Sequence, residues 1–219
     1  MTDVAVVDYG AGNLVSVRRA LEVAGVTPRF ATRGDDLGVP DLVVVPGVGA
    51  SAPAMARLRR RGLERALVEA VESGAWYLGI CLGLQLLSDS SDEDGARTLG
   101  LLPGVTRRLR DAPRLPHVGW NAVERRRDHP LFEGITPGAP FYFVHSFAGE
   151  PTSAAAILAE TDHGFRFTSA VAQGRLLGVQ FHPERSGPDG LRLLRNALDL
   201  ASGRGRVEPA APTVAVNAS

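Results

Sequence analysis

Short, mainly apolar runs at 4–8, 42–45 and 76–80 read as strands buried on both faces, since a strand with one wet face would alternate. The longer stretches at 14–24 and 54–73 read as helices, a further strand falls at 27–31, and another helix starts after Gly83. Strand and helix therefore alternate with short links, the order of a parallel sheet covered by helices. From about Val105 the texture changes. Short strands follow one another at 105–110, 117–123, 141–147, 155–160, 167–172 and 176–181 with no helix between them, which predicts antiparallel strands that extend or join the main sheet. A last helix at 190–200 packs back on that sheet. The expected fold class is α/β, a mostly parallel central sheet with flanking helices and an added antiparallel portion in the second half. Residues 1–202 form one domain in this reading, and 203–219, rich in Pro, Ala, Val and polar residues without a usable period, form a disordered tail.

With 219 residues, 44% hydrophobic and 22% charged, the chain has the make-up of an ordinary globular protein. Its 24 basic and 24 acidic side chains cancel, which leaves no overall field to attract nucleic acid or an anionic membrane. All 24 basic residues are Arg, so the arginine clusters at 57–65 and 125–127 follow a bias of the whole chain and read as solvated faces. A single cysteine cannot close an internal disulfide, and no Cys/His cluster has the spacing of zinc ligands, so neither metal nor cofactor is expected. No apolar run reaches membrane length, and the N-terminus enters a strand directly with acids at Asp3 and Asp8; a cytoplasmic location is expected.

The one cysteine stands in Gly79-Ile80-Cys81-Leu82-Gly83, where the apolar run meets the helix-like stretch. This is the pattern of a strand turning sharply into a helix with a nucleophile at its apex, where only glycines two residues either side avoid a collision of side chains. A helix N-terminus at that point favours thiolate over thiol. A buried, inert cysteine is the plainer alternative. What weighs against it lies downstream, in Gly178-Val179-Gln180-Phe181-His182-Pro183-Glu184, which reads as a strand that turns polar only as it ends. In an extended chain His182 and Glu184 point to the same side, so the carboxylate can hold the imidazole in one tautomer while the other ring nitrogen faces a nucleophile. Pro183 helps to end the strand. Together with Cys81 these residues compose a Cys-His-Glu triad. A third piece is the run 43–49, a buried strand breaking into a Gly-rich turn whose backbone N–H groups can approach a developing oxyanion. That turn and Cys81 both fall at carboxyl ends of strands, where open parallel sheets bind ligands.

Two other patterns are decoys. Gly10-Ala11-Gly12-Asn13-Leu14-Val15 lacks the third glycine and the acidic partner of a dinucleotide fingerprint, and a tight turn into the following helix explains it. The acidic run 88–95 would put Leu101 where a calcium loop needs a bidentate Glu, so it reads as a solvated loop.

These residues resemble the class I, triad-type glutamine amidotransferases. GICLGLQ at 79–85, PGVG at 46–49 and FHPE at 181–184 occur in that family's order and rough spacing, and the match spans about 4–200. Within the family, DYGAGN at 8–13, HVGWN at 117–121, YFVHSF at 142–147 and FHPERS at 181–186 look most like the glutaminase subunits of imidazole glycerol phosphate synthases, of histidine biosynthesis. Arg185 stands where that subfamily usually carries Lys, which keeps the charge and changes the hydrogen-bond geometry. The resemblance implies glutamine as substrate, Cys81, His182 and Glu184 as the catalytic residues, and the Gly47-Val48 turn with the Leu82 N–H as oxyanion donors. It implies Gly49, Gln85, Glu93, Ser146 and Phe147 as positions that hold the glutamine. It also implies a heterodimer with a cyclase subunit built as a (β/α)8 barrel, reached by a closed route because ammonium in bulk water is no nucleophile. Asn13, Trp120, Asn121 and Arg185 are the candidates for the facing surface. The residues also fit a glutaminase serving another synthase, such as one making pyridoxal phosphate, a stand-alone cysteine hydrolase of γ-glutamyl peptides, or an inactive regulatory scaffold.

Overall fold

Leu42 and Val44 of the strand Leu42–Gly47 enter one apolar core, while Val43 and Val45 enter another. Successive side chains of a strand point to opposite faces, so a run that is apolar at every position must be covered on both. The computed structural model describes residues 2–204 of the chain. The first half runs β1 (Val4–Val7), α1 (Leu14–Ala24), β2 (Arg29–Ala31), α2 (Gly34–Leu37), β3 (Leu42–Gly47), α3 (Ser51–Arg60), α4 (Leu63–Glu72), β4 (Trp76–Cys81) and α5 (Leu82–Gln85). The second half adds β5 (Ser90–Ser91), β6 (Gly104–Arg108), β7 (His117–Ala122), β8 (Glu124–Arg125), β9 (Pro140–His145), β10 (Phe147–Pro151), β11 (Ile157–Asp162), β12 (Arg166–Gln173), β13 (Leu176–Val179) and α6 (Gly187–Ala201).

An eight-stranded sheet in the order β2-β1-β3-β4-β13-β12-β11-β8 forms the centre. Its neighbours are parallel from β2 to β13 and antiparallel from β13 to β8. Val17 and Leu21 of α1 and Leu193 and Leu194 of α6 seal one face; Met55 and Leu58 of α3 and Leu63 and Leu67 of α4 seal the other. Beside this sheet stand a three-stranded sheet, β10-β6-β5, and the antiparallel ribbon β7-β9.

The mostly parallel sheet with an antiparallel addition is thus as expected, with several local departures. The stretch expected at 176–181 among the antiparallel strands supplies β13, which lies parallel to β4; its four residues are all buried, as suits the middle of a sheet. The helix expected at 54–73 is two, because Gly62 takes φ +70 and the Arg61 carbonyl accepts from Gly34 N instead of continuing a helical ladder. The strand expected at 141–147 breaks at Ser146 into β9 and β10, which join different sheets. The helix after Gly83 shrinks to the single turn of α5. The expected tail from 205 onward lies outside the described residues. Among those residues no helix is long and apolar enough to cross a membrane, and no three His, Cys, Asp or Glu side chains converge as metal ligands.

Candidate active site

In the parallel pair β3 and β4, Cys81 lies opposite Gly47, so the cysteine turn and the Gly-rich turn share one end of the sheet. Cys81 has φ +54 and ψ −107. A side chain in that half of conformational space costs about 1–3 kcal/mol, offset by the packing around it. The packing demands both neighbouring glycines: a Cβ at Gly79 would meet Gly83 O at 2.4 Å, and one at Gly83 would meet Val45 O at 1.7 Å. Tyr77 Oη donates to Gly83 O at 2.8 Å and pins the bend from below. With only four residues in α5, the helix dipole expected from the sequence contributes little at the sulfur.

His182 and Glu184 do not prolong β13, contrary to the extended arrangement expected. Pro183 opens a 3-10 turn, Pro183–Arg185, and the turn brings the two side chains together. His182 Nδ1 donates to Glu184 Oε1 at 2.8 Å, with the side chains 7% and 2% exposed. The strand β9 grips the histidine backbone: His182 N donates to Tyr142 O at 2.9 Å. Ser186 Oγ donates to His182 O at 2.6 Å and accepts from Tyr142 N at 3.0 Å. His182 Nε2 and Glu184 Oε2 are buried without a hydrogen bond of ordinary geometry. Burial opposes a charge on the imidazole, but the Cys81 sulfur and the Glu184 carboxylate outweigh it and hold the pKa up at about 10. The three side chains of the expected triad are therefore together, and the ring between them favours its cationic form.

Gln180 is a neighbour that the sequence reading missed. Fully buried, it donates from Nε2 toward Cys81 Sγ at 3.6 Å and accepts on Oε1 from Gln85 Nε2 at 3.2 Å. A polar residue two before His182 in an otherwise apolar run was the signal for it. Gln85 also donates to Phe147 O at 2.8 Å, so these two candidate glutamine-holding positions meet across 62 residues of chain. Ser146 is half-buried, and its carbonyl accepts from Leu109 N. Gly49 follows the expected oxyanion turn with φ +90 and is exposed. Val48 is 48% exposed at the tip of the turn, while Gly47 and Leu82 are buried. Glu93 is exposed, and what burial it has, followed by the charge of Asp94, raises its pKa.

Of the candidate partner-facing residues, Trp120 is 57% exposed on the ribbon β7-β9, with its ring edge-on to Tyr142. The Arg185 guanidinium lies over the same Tyr142 ring at 4.1 Å. Val118 is exposed two residues before Trp120, on the same face of the strand. Asn13 and Asn121 use their side chains inside the fold. Asn13 Oδ1 caps α1 by accepting from Ser16 N, and Asn121 Nδ2 donates to Asp162 O and lies 3.2 Å from His117 Nε2.

The family model for glutamine amidotransferase class-I matches residues 5–200. The chain is 43% identical over 201 residues to the protein named imidazole glycerol phosphate synthase subunit HisH of Dehalococcoides mccartyi strain CBDB1, covering 91% of this chain and 98% of that one. It is 48% identical over 199 residues to the protein of the same name from Symbiobacterium thermophilum, covering 90% and 93%. A crystal structure of a glutamine amidotransferase superposes with TM-score 0.72 at 23% identity over 90% of this chain and 98% of the other. The structure of PurLQS from Thermotoga maritima does so with TM-score 0.73 at 21% identity, over 91% and 99%. At such identities the structures speak for the fold alone. With the strained cysteine bend, the His182–Glu184 pair beside it and a family match from one end of the sheet to the other, the chain belongs to the class I glutamine amidotransferases.

Proposed function

We propose that this chain is the glutaminase subunit of an imidazole glycerol phosphate synthase, with residues 1–202 as its amidotransferase domain, and that Cys81, His182 and Glu184 carry its chemistry. The observation that carries the mechanism is the buried hydrogen bond from His182 Nδ1 to Glu184 Oε1 at 2.8 Å, with the Cys81 sulfur close enough that it and the carboxylate together hold the imidazole pKa up at about 10. The Cys81 sulfur attacks the side-chain amide carbon of glutamine, and the carbonyl π electrons move to oxygen. N–H groups of the Gly47-Val48 turn and of Leu82 meet that oxyanion, each worth about 3 kcal/mol. His182 Nε2 passes its proton to the amide nitrogen, the C–N bond breaks and ammonia leaves. Water, giving a proton to His182, then opens the thioester to glutamate and frees the sulfur. Glu184 holds the ring by Nδ1 throughout. Gly49, Gln85, Glu93, Ser146 and Phe147 hold the glutamine, so an analogue lacking its amide or amino group leaves their polar atoms unpaired and binds poorly.

The name of the relatives supports a synthase as partner. Our reading is a cyclase subunit built as a (β/α)8 barrel, which takes ammonia through a closed route. The apolar and cationic patch of Trp120, Val118 and Arg185 suits a docking face, and Asn13 and Asn121 are its further candidates. The test is a glutaminase assay with and without the cyclase and its nucleotide ligand, on wild type and Cys81→Ala. Glutamate release that rises with the cyclase and falls by about 10⁴-fold or more in Cys81→Ala is expected. Release that survives the substitution would end the proposal.

A further inference from the structure

Tyr9 is fully buried, and its hydroxyl has no hydrogen-bond partner. A phenol in that state has given up its bonds to water with nothing in exchange, whereas Phe would fill the same space without the loss. The oxygen lies against one particular stretch of backbone. A Cβ on Gly47 would fall 2.1 Å from Tyr9 Oη, with Leu82 Cβ 3.0 Å from the same point. Gly47 in turn faces Cys81 across the parallel pair. The unpaired O–H therefore sits directly behind the turn whose N–H groups are proposed to meet the oxyanion. Two of the neighbouring polar side chains are engaged, Tyr77 Oη with Gly83 O and Gln85 with Phe147 O and Gln180, whereas Ser51 Oγ, His182 Nε2 and Glu184 Oε2 are unpaired as Tyr9 is. Burial first, and the charge of Cys81 next, push the Tyr9 phenol well above its ordinary range, so the oxygen keeps its proton and remains a donor.

We propose that Tyr9 is a positioning residue for the oxyanion turn: its O–H engages the Gly47 carbonyl oxygen when glutamine is bound, and so directs the Val48 N–H at the substrate. The C=O and N–H of one planar trans peptide point in opposite directions. A Gly47 carbonyl drawn back to the phenol leaves the Val48 N–H aimed forward, into the cleft. Only glycine at 47 lets the phenol come so close. This inference rests on the glutaminase reading above, since it assigns a role within that reaction.

The test is Tyr9→Phe in the full chain, assayed with the cyclase and its nucleotide and followed by a thermal melt. The expected result is a kcat lowered at least tenfold, about 1.4 kcal/mol in the barrier, with KM within twofold of wild type and a melting temperature equal or higher. A kcat within twofold of wild type overturns the inference. So does a lower melting temperature with activity lost in step, which marks Tyr9 as core packing. A wild-type complex that releases no glutamate removes the glutaminase reading and the inference with it, an outcome distinct from an active wild type matched by an equally active Tyr9→Phe.

Discussion

Two buried histidine sites lie close together in this protein and end in opposite states. His182 is held up at about 10, whereas His145 is pushed down to about 3. Burial disfavours the cation at both. What differs is the company. His182 has a sulfur and a carboxylate as partners, both able to carry negative charge. His145 has a neutral carbonyl and, beyond burial, the charges of His117, His163 and His182 against it.

The hydrogen bonds make the second case explicit. His145 Nδ1 donates to Phe147 O at 2.9 Å, which leaves Nε2 of the neutral ring as an acceptor. His117 Nδ1, 3.0 Å away, must then be the donor to it. His117 Nε2 is an acceptor in turn, served by Asn121 Nδ2 at 3.2 Å. A one-way chain Asn121 to His117 to His145 to Phe147 satisfies every ring nitrogen with both imidazoles neutral. A proton added to either ring would set two donors against each other. Desolvation alone therefore does not predict the charge of a buried histidine; the charge and direction of its partners decide it.

The largest expected effect comes from taking the anion out of the first site. Glu184→Gln lowers kcat by about 10³- to 10⁴-fold, through loss of the correct tautomer and of the stabilised imidazolium. Imidazole NMR of the same variant shows the His182 titration moving down from about 10. Because the folded pKa of His182 is raised above the ordinary 6.5, its share of stability is full below about pH 6.5 and is lost as pH rises through about 10. Urea melts across that window should show a flatter decline in Glu184→Gln than in wild type. An unmoved titration would break the comparison at its strong end.

The second site predicts the opposite slope. With a folded pKa lowered from 6.5 to about 3, His145 contributes stability above about pH 6.5 that is lost as pH falls toward 3. His145→Gln should flatten the acid limb of stability between those values, read by urea melts at successive pH, even where its packing lowers stability at neutral pH. An unchanged acid limb would mean that His145 does not set it. The smallest effect is expected from Asn121→Ala, which removes the first donor of the chain and the bond to Asp162 O. A stability loss of about 1 kcal/mol by urea melt follows, with kcat of the saturated complex within twofold of wild type. A large drop in kcat would join the neutral chain to the chemistry and blur the contrast between the sites.

Much of this was readable along the chain. Unbroken apolar runs such as 42–45 and 76–80 could only be strands covered on both faces, and the alternation with helices required a parallel sheet. The spacing of Gly79 and Gly83 about Cys81 announced a bend that only small neighbours allow, and the clashes with Gly83 O and Val45 O give the reason. The break at Gly62 was not readable, because it depends on Gly34 N reaching the Arg61 carbonyl from another element. The pairing of β13 with β4 was hidden for a similar reason. A four-residue buried strand carries no mark of the direction of its neighbour.

At the site the division is the same. Residue types and local sterics suffice to single out Cys81, His182 and Glu184 as candidates, because a glycine-flanked bend and a strand end are properties of a few adjacent residues, while the 3-10 turn that pairs the last two emerged only in the structure. Gln180 against the sulfur, the unpaired phenol of Tyr9 behind Gly47 and the one-way histidine chain arise only on folding. Each joins groups from separate stretches of chain, and desolvation and hydrogen-bond direction are set by whatever atoms happen to surround a group in space.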